Sequence, residues 1–200
     1  GIADIMMHSL ERFLNPSDDN QLADSWALEL CKNVMKAGKK AIEDPHDYQA
    51  RASLMLASSL SHDGLTSIGK TSKFIIHPLE HAISGYHSDV THGDGVAIVY
   101  LGFAKYTIAI NPSKFATIAR ALCNIKTDNE QKTAIMGVEA MRDFYISIGL
   151  PVSLREVGIK DEDLDAIADL ASGNGTRVVG SYPQPLDRKA ILEIYRNCLG

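Results

Sequence analysis

The amino-acid sequence predicts an all-α protein, built as a single helical domain over residues 1–200. Apolar residues recur three and four positions apart along almost the whole chain, which is the period of an amphipathic helix. These segments are separated by Asp, Asn and Ser, which cap helices, and by Gly and Pro, which end them. No segment alternates apolar and polar residues over the length of a strand, and residues 177–179 are too few to form one. We therefore expect a helical bundle.

Two helices are predicted at the start of the chain. Residues 3–14 form a short helix that Pro16 stops, because proline cannot continue a helix. Residues 17–19, Ser-Asp-Asp, offer N-caps for a long second helix that ends before Pro45. Five apolar residues form its predicted buried stripe: Leu22, Trp26, Leu30, Val34 and Ala41.

Three further helices are predicted in the middle of the chain. Asp47 caps the third helix, which stops at Gly64. Its apolar positions are Ala50, Leu54, Ala57 and Leu60. The fourth helix covers residues 73–87 and contains Pro78, which either lies in the first turn or kinks the helix, because its ring clashes with the carbonyl four residues back. The fifth helix covers residues 94–106.

Four helices are predicted after residue 110. One begins at residues 111–113, and a long amphipathic one covers residues 128–148. A short helix follows the capping residues 160–163 and ends at 172–175. After a rigid extended stretch at 182–185, Asp187 caps the last helix, 188–198. The apolar face of the helix that begins at 111–113 consists of Phe115, Ile118, Ala119 and Leu122. That of the helix at 128–148 consists of Ala134, Val138, Met141 and Tyr145, and that of the last helix of Ile191, Ile194 and Tyr195.

Composition excludes several classes of function. The chain is 45% hydrophobic and 22% charged, with a net charge of −5, as is ordinary for a globular domain. It has no basic stripe and no apolar run of the ~20 residues that span a bilayer, so we expect neither a nucleic-acid nor a membrane partner. Three cysteines in no CxxC pair, and no signal peptide, indicate the cytoplasm. Because the chain begins at Gly1 rather than Met, we expect it to be part of a longer protein.

Histidines and one aspartate occur at the spacing of metal ligands. Asp4 and His8 are four residues apart, so they would share one face of a helix, and His77 and His81 have the same spacing. His92 follows at a predicted helix start. Taken singly, such pairs are more often caps, surface pairs or buried histidines bonded to carboxylates. Together, one carboxylate and three imidazoles can bind a divalent first-row metal.

Three segments of the chain carry a family resemblance. They are residues 1–11 (GIADIMMHSLE), residues 77–84 (HPLEHAIS) with 91–95 (THGDG), and residues 148–151 (IGLP) with 154–156 (LRE). Together they resemble the C-terminal domain of the iron-dependent (group III) alcohol dehydrogenases, particularly the butanol-dehydrogenase-like members. The resemblance covers essentially the whole chain.

The resemblance implies the site residues position by position. The family's four metal ligands fall on Asp4, His8, His77 and His92. The family's further histidine, near the nicotinamide and the substrate, falls on His81, which is therefore the expected catalytic and cofactor-binding residue. The spacing from His81 to His92 is one residue longer than the family pattern. The extra residue falls in the loop at 86–89, and it leaves His87 as a competing ligand.

The resemblance also implies the function. The chain would be the metal-binding half of an NAD- or NADP-dependent alcohol dehydrogenase or aldehyde reductase, in which a divalent metal activates the oxygen of a small alcohol or aldehyde for hydride transfer. Family membership favours Fe²⁺, and Zn²⁺ suits the same ligands. No Gly-rich dinucleotide fingerprint follows a strand, so the Rossmann-like N-terminal domain that holds the cofactor is expected to be absent and the isolated chain inactive. A homo-oligomer is compatible with the sequence.

Other functions stay open at this stage. A metal-dependent lyase or hydrolase of the same superfamily, or a glycerol-dehydrogenase-like enzyme, would use a similar site. A helical interaction domain would instead contain the histidines as buried structural residues. Glu80 is not the base of an HExxH zinc site, because it directly precedes His81. Asp4 and the additional histidine fit the iron alcohol dehydrogenase pattern best.

Overall fold

Helices account for the regular structure of the computed structural model, which describes residues 1–15, 20–71 and 73–200. Within those residues there are nine α-helices, and the only strand-like pairing is an isolated bridge between Val179 and Leu186. The all-α prediction is therefore confirmed. In chain order the helices are α1 (Ile2–Leu14), α2 (Gln21–Glu43), α3 (Tyr48–His62), α4 (Ile76–Tyr86), α5 (His92–Ile110), α6 (Ser113–Cys123), α7 (Glu130–Ser147), α8 (Leu164–Ser172) and α9 (Arg188–Cys198).

Polar side chains cap several helices as their sequences predict. Asp47 accepts a hydrogen bond from the backbone of Ala50 at 2.8 Å, and Asp187 accepts one from Ala190 at 2.9 Å. The caps predicted for α2 at 17–19 lie outside the described residues. The observed N-cap is Asn20, whose side chain accepts from the backbone of Ala23 at 3.1 Å.

The prediction for the buried face of α2 is largely wrong. Leu22 and Trp26 are 57% and 37% exposed, although helical periodicity predicts both in the buried stripe. The face that packs against α1 instead carries small residues, and only Val34 belongs to both sets. Small side chains let two helix backbones approach closely, so the packed face does not follow the largest apolar residues. The buried residues are Ala23, Ala27, Cys31, Val34, Ala37 and Gly38.

Helix α4 is shorter than its sequence predicts and contains Pro78 in its first turn. Because the helix begins at Ile76, the missing N–H of Pro78 removes no helical hydrogen bond, and no kink is needed. Residues 182–185, predicted to be extended, instead bend, and the Tyr182–Pro183 peptide is cis. This bend brings Val179 and Leu186 into their antiparallel bridge.

Helix α5 lies at the centre of the molecule. It is longer than predicted and packs against α1, α4, α7 and α9. Among the helices of the described residues, α5 alone is long and apolar enough to pass for a membrane span, which corrects the expectation that no such run exists. The structure buries 72% of its most apolar stretch inside the domain. Its composition therefore fits a core helix covered by other helices.

Gly102 allows α5 and α9 to lie in contact. A Cβ at this position would lie 2.1 Å from Cys198 Sγ and 2.9 Å from the carbonyl oxygen of Ile194. The first atom belongs to a side chain, but the second is backbone and cannot move without shifting α9. We therefore predict that Gly102→Ala lowers the free energy of unfolding by about 1–3 kcal/mol through overpacking.

Urea denaturation measures that difference directly. Gly85→Ala is the matched control, because Gly85 is exposed in α4 and a Cβ there meets no atom within 4 Å. Alanine favours helix over glycine, so the control is expected to be neutral or slightly stabilising. Equal stability of the two variants would contradict the assigned contact between α5 and α9.

Candidate metal centre

The amino-terminal ends of three helices meet at one point. Helix α1 presents Asp4 and His8 on one face, because residues four apart are neighbours on a helix. Helix α4 presents His77 in its first turn, and α5 begins at His92. The packing of α5 against both α1 and α4 brings these side chains together.

One carboxylate oxygen lies close to three imidazole nitrogens. Asp4 Oδ1 is 3.5 Å from Nε2 of His8, 3.1 Å from Nε2 of His77 and 3.4 Å from Nε2 of His92. The ring centroids of His8 and His77 are 4.2 Å apart, and those of His77 and His92 are 5.4 Å apart. Asp4, His8 and His77 therefore form one group of candidate ligands, and His92 approaches the same Asp4 oxygen although its donor atom groups with those of Glu80 and His81.

These distances fit a shared cation. Carboxylate oxygens and imidazole nitrogens bind a first-row divalent ion at about 2.0–2.2 Å, so donors in a tetrahedron are about 3.3–3.6 Å apart. The separations of Asp4 Oδ1 from His8 and His92 lie within that range, and the separation from His77 lies just below it. The donor set, one carboxylate with three imidazoles, is also one that iron and zinc accept.

A second carboxylate contacts His77 at Nδ1, the ring nitrogen that does not face Asp4. Glu11 is fully buried, and its Oε2 contacts Nδ1 of His77. Its other oxygen accepts hydrogen bonds from the backbone of α4's first turn: from Ile75 at 2.6 Å, from Ile76, and from His77 at 3.4 Å. A carboxylate at a helix amino terminus satisfies N–H groups that have no partner within the helix. Glu11 therefore joins α1 to α4 beside the cluster.

A third carboxylate holds His92 in the same way. Glu80 is fully buried, its Oε2 contacts Nδ1 of His92, and its Oε1 accepts from the hydroxyl of Ser84. Gly95 makes room for it, because a Cβ there would lie 2.7 Å from Glu80 Cγ. Glu80 thus occupies a space in which it has little freedom to rotate.

His8 differs from the other two histidines of the cluster. Its Nδ1 is buried and has no hydrogen-bond partner among the described residues. Its ring instead packs against other rings, with centroids 3.7 Å from His62 and 5.5 Å from Phe74. His8 is therefore positioned by packing, whereas His77 and His92 are positioned by carboxylates.

The cluster shifts the pKa values of its own members. The hydrogen bond with His77 lowers the pKa of Asp4 to about 2, although burial acts in the opposite direction. Burial and the neighbouring His77 lower the pKa of His8 to about 4. Burial also lowers the pKa of His77, but hydrogen bonds with Asp4 and Glu11 outweigh it and raise the value to about 9. At neutral pH Asp4 is thus ionised and His8 neutral, the forms in which these groups bind metals, whereas His77 is protonated without an ion and would lose a proton when one binds.

His81 and His87 lie apart from the four. His81 is exposed, with its ring 5.6 Å from that of His92 and 6.2 Å from that of His77, and its donor atom groups with those of Glu80 and His92. His87 ends α4 beside Gly158 and is not part of either group of candidate ligands in the described residues. The extra residue before His92 therefore does not bring His87 into the cluster.

Glu11 and Glu80 are supporting residues that ligand spacing and family resemblance do not indicate. Glu11 stands three residues after His8, on the same face of α1, which is a usable signal. The position of Glu80 directly before His81 gives no sign of a supporting role. Its contact with His92 joins the end of one helix to the start of the next, and helical periodicity within a single segment does not predict such a contact.

The fold and the cluster together define a class: an all-α domain with a carboxylate and three histidines converging at helix amino termini. Residues 1–199 match the family model described as Fe-containing alcohol dehydrogenase family, C-terminal. The chain therefore belongs to the iron-containing alcohol dehydrogenase family, in which it represents the C-terminal part.

Named relatives agree with this assignment. The chain is 35% identical to NADH-dependent butanol dehydrogenase A of Clostridium acetobutylicum over 198 residues, which are 98% of the chain and 50% of that protein. It is 23% identical to the NADPH-dependent aldehyde reductase YqhD of Escherichia coli over 90% of the chain and 46% of that protein. The crystal structure of NADH-dependent butanol dehydrogenase A from Thermotoga maritima superposes with a TM-score of 0.91 at 28% identity, covering 100% of the chain and 51% of that structure. The chain thus spans about half the length of the relatives it matches.

Loss of the Glu11 carboxylate should destabilise the fold. Glu11→Ala leaves three backbone N–H groups and Nδ1 of His77 without their buried acceptor. Removing one partner of a buried charged contact typically costs about 3–5 kcal/mol, and we predict a loss of unfolding free energy in that range.

Urea denaturation of the metal-free chain tests this expectation. Glu139→Ala is the control, since Glu139 is exposed on α7 and its replacement should leave the unfolding free energy unchanged. If Glu11→Ala costs less than about 1 kcal/mol, as an ordinary surface substitution does, the connection between α1 and α4 is wrong.

Proposed function

We propose that the chain is the metal-binding half of an NAD(P)-dependent alcohol dehydrogenase or aldehyde reductase, with Asp4, His8, His77 and His92 as the metal ligands. The observation that carries this proposal is the position of Asp4 Oδ1, 3.1–3.5 Å from three imidazole Nε2 atoms. Structural histidines need partners for both nitrogens but have no reason to converge on one oxygen. The match over residues 1–199 supports the same function.

A divalent ion bound there would act as a Lewis acid toward an alcohol or aldehyde oxygen. The protein's own contribution is to bind that ion and orient its ligands. Asp4 supplies the one negative charge to the ion, so three neutral imidazoles would leave the site with net positive charge. Burial of His77 and Glu11 shields one side of the cluster from water, while His92, 41% exposed at its side chain, lies at the open side. Substrate would reach the site from the side of His92.

His81 is proposed as the catalytic and cofactor-contacting residue. It lies on α4 one turn after His77, is exposed, and has its ring 5.6 Å from that of His92. An exposed imidazole beside the cluster can exchange protons with water and pass them to a reacting oxygen. Its distance from the cluster suits a relay group rather than a fifth ligand.

The nicotinamide cofactor, which would carry the hydride, is proposed to bind mainly to the other half of the whole protein. Relatives named as NADH-dependent and as NADPH-dependent both match, so either cofactor is consistent with the family. Fe²⁺ is the proposed metal on the family's description, and Zn²⁺ suits the same ligands. The relatives' names favour small alcohols or aldehydes as substrates over a lyase or hydrolase reaction.

The metal content of the chain should depend on the histidines around Asp4 and not on how many histidines the chain contains. We predict that the purified chain, reconstituted with Fe²⁺ without oxygen or with Zn²⁺, holds one ion per chain, and that His77→Ala holds at least tenfold less. His87→Ala is the matched control, because it removes the rival histidine outside the cluster. His81→Ala is also expected to keep its ion. Elemental analysis after desalting measures all four proteins, and equal metal in wild type and His77→Ala would contradict the proposal.

The reaction should require the other half of the whole protein. We predict that the 200-residue chain, although loaded with metal, gives no detectable NADH- or NADPH-dependent reduction of butanal, because it lacks most of the cofactor's binding surface. The whole protein should reduce butanal, and His77→Ala in it should not. Absorbance at 340 nm measures both reactions. Turnover by the 200 residues alone, or full activity of His77→Ala in the whole protein, would contradict this account.

A further inference from the structure

Two of the three clustered histidines have their distal nitrogen bonded to a carboxylate. Nδ1 of His77 contacts Glu11, and Nδ1 of His92 contacts Glu80. A carboxylate accepts hydrogen bonds and does not donate them, so the proton of each bond belongs to Nδ1. That choice makes Nε2, the atom that faces Asp4, the nitrogen that would give up any proton and offer its lone pair when an ion binds.

Both carboxylates are fixed in position. Each has a fully buried side chain, and each has a further anchor on its second oxygen. For Glu11 that anchor is the backbone of α4, and for Glu80 it is the hydroxyl of Ser84. Gly95 leaves Glu80 the space it occupies, since a Cβ there would lie 2.7 Å from its Cγ. Burying a carboxylate is costly unless it is well bonded, so two such residues behind one cluster indicate a specific role.

We propose that Glu11 and Glu80 are positioning residues that hold the Nε2 atoms of His77 and His92 toward a bound ion. The inference rests on the proposed function, because it assigns these carboxylates a role in metal binding. Each one selects the imidazole tautomer and sets the ring plane, and so reduces the reorganisation that binding would require. His8, which has no such partner, depends on the rings of His62 and Phe74 instead.

Glu80 is the better residue for the test. Glu11 also accepts from three backbone N–H groups, so its removal changes the fold as well as the site. The described hydrogen bonds of Glu80 are with two side chains, His92 and Ser84. Loss of a carboxylate behind a ligating histidine typically weakens metal binding by about 10–100-fold.

Zinc titration of the metal-free 200-residue chain, in competition with a chromophoric chelator, measures the effect. Glu80→Ala is expected to bind Zn²⁺ about 10–100-fold more weakly than wild type. Glu80→Gln keeps an oxygen that can accept from Nδ1, so it should recover at least several-fold of that loss. Binding by Glu80→Ala within twofold of wild type would overturn the proposal, as would equal weakness of the two variants.

A second pair of variants displaces the carboxylate without removing it. Gly95→Ala should push Glu80 away from His92 and weaken Zn²⁺ binding. Gly93→Ala is its matched control, because a Cβ there meets only a backbone nitrogen at 3.7 Å. Far-UV circular dichroism confirms that each variant is folded. If Gly95→Ala and Gly93→Ala bind Zn²⁺ equally, the proposal fails even where Glu80→Ala does not fold.

The visible absorption spectrum of bound Co²⁺ separates a positioning role of Glu80 from a purely structural one, which would leave the spectrum unchanged. The visible absorption of bound Co²⁺ reports the arrangement of its ligands, so its bands should change in Glu80→Ala and Gly95→Ala and stay unchanged in Gly93→Ala. Identical spectra in all proteins would overturn the positioning role. Failure of the proposed function is distinct, because the wild-type chain itself would then bind neither Zn²⁺ nor Co²⁺, and that result would overturn both.

Discussion

The contact of Glu11 with the start of α4 is the constraint on which the cluster depends. Asp4 and His8 belong to α1, and His77 belongs to α4, two helices separated by more than 60 residues of sequence. The Glu11 side chain extends from α1 toward α4. It accepts hydrogen bonds from the first backbone amides of α4 and contacts the imidazole of His77. One buried carboxylate thereby sets the position of one helix against the other and the orientation of one candidate ligand.

This arrangement places several ionisable groups where a core would otherwise be apolar. Glu11 and Glu80 are fully buried, and His77 is nearly so. Burying charged groups carries a large desolvation cost, which is offset only when every lone pair has a partner. Here the partners are backbone amides, a hydroxyl and imidazoles. Apolar packing stabilises the rest of the domain. Helices α1, α4, α7 and α9 pack around α5, and α1, α4 and α5 carry the site.

The sequence predicts helices well and their packing poorly. Periodicity and capping residues predict most helix positions, and Asp47 and Asp187 cap as expected. The buried face of α2 could not be predicted, because close approach to α1 favours small residues over the large apolar ones that periodicity emphasises. The length of α5 was underestimated for a related reason: a helix buried on all sides has no polar face to mark its ends.

The candidate ligands were identified from spacing and from family resemblance, and the structure brings them together. Spacing alone does not predict this convergence, since it depends on how α1, α4 and α5 pack. The same holds for Glu80 and Gly95, which are 15 residues apart and meet only after α4 and α5 have packed. Family resemblance supplied residues that the local pattern could not distinguish from caps or structural histidines.

The most direct test of the central claim is anomalous scattering from a crystal of the chain grown with its metal, measured at the iron and zinc absorption edges. The account predicts a single anomalous peak about 2.0–2.2 Å from Asp4 Oδ1 and from Nε2 of His8, His77 and His92. A peak elsewhere in the molecule, or one bound by fewer than three of these four residues, would contradict it.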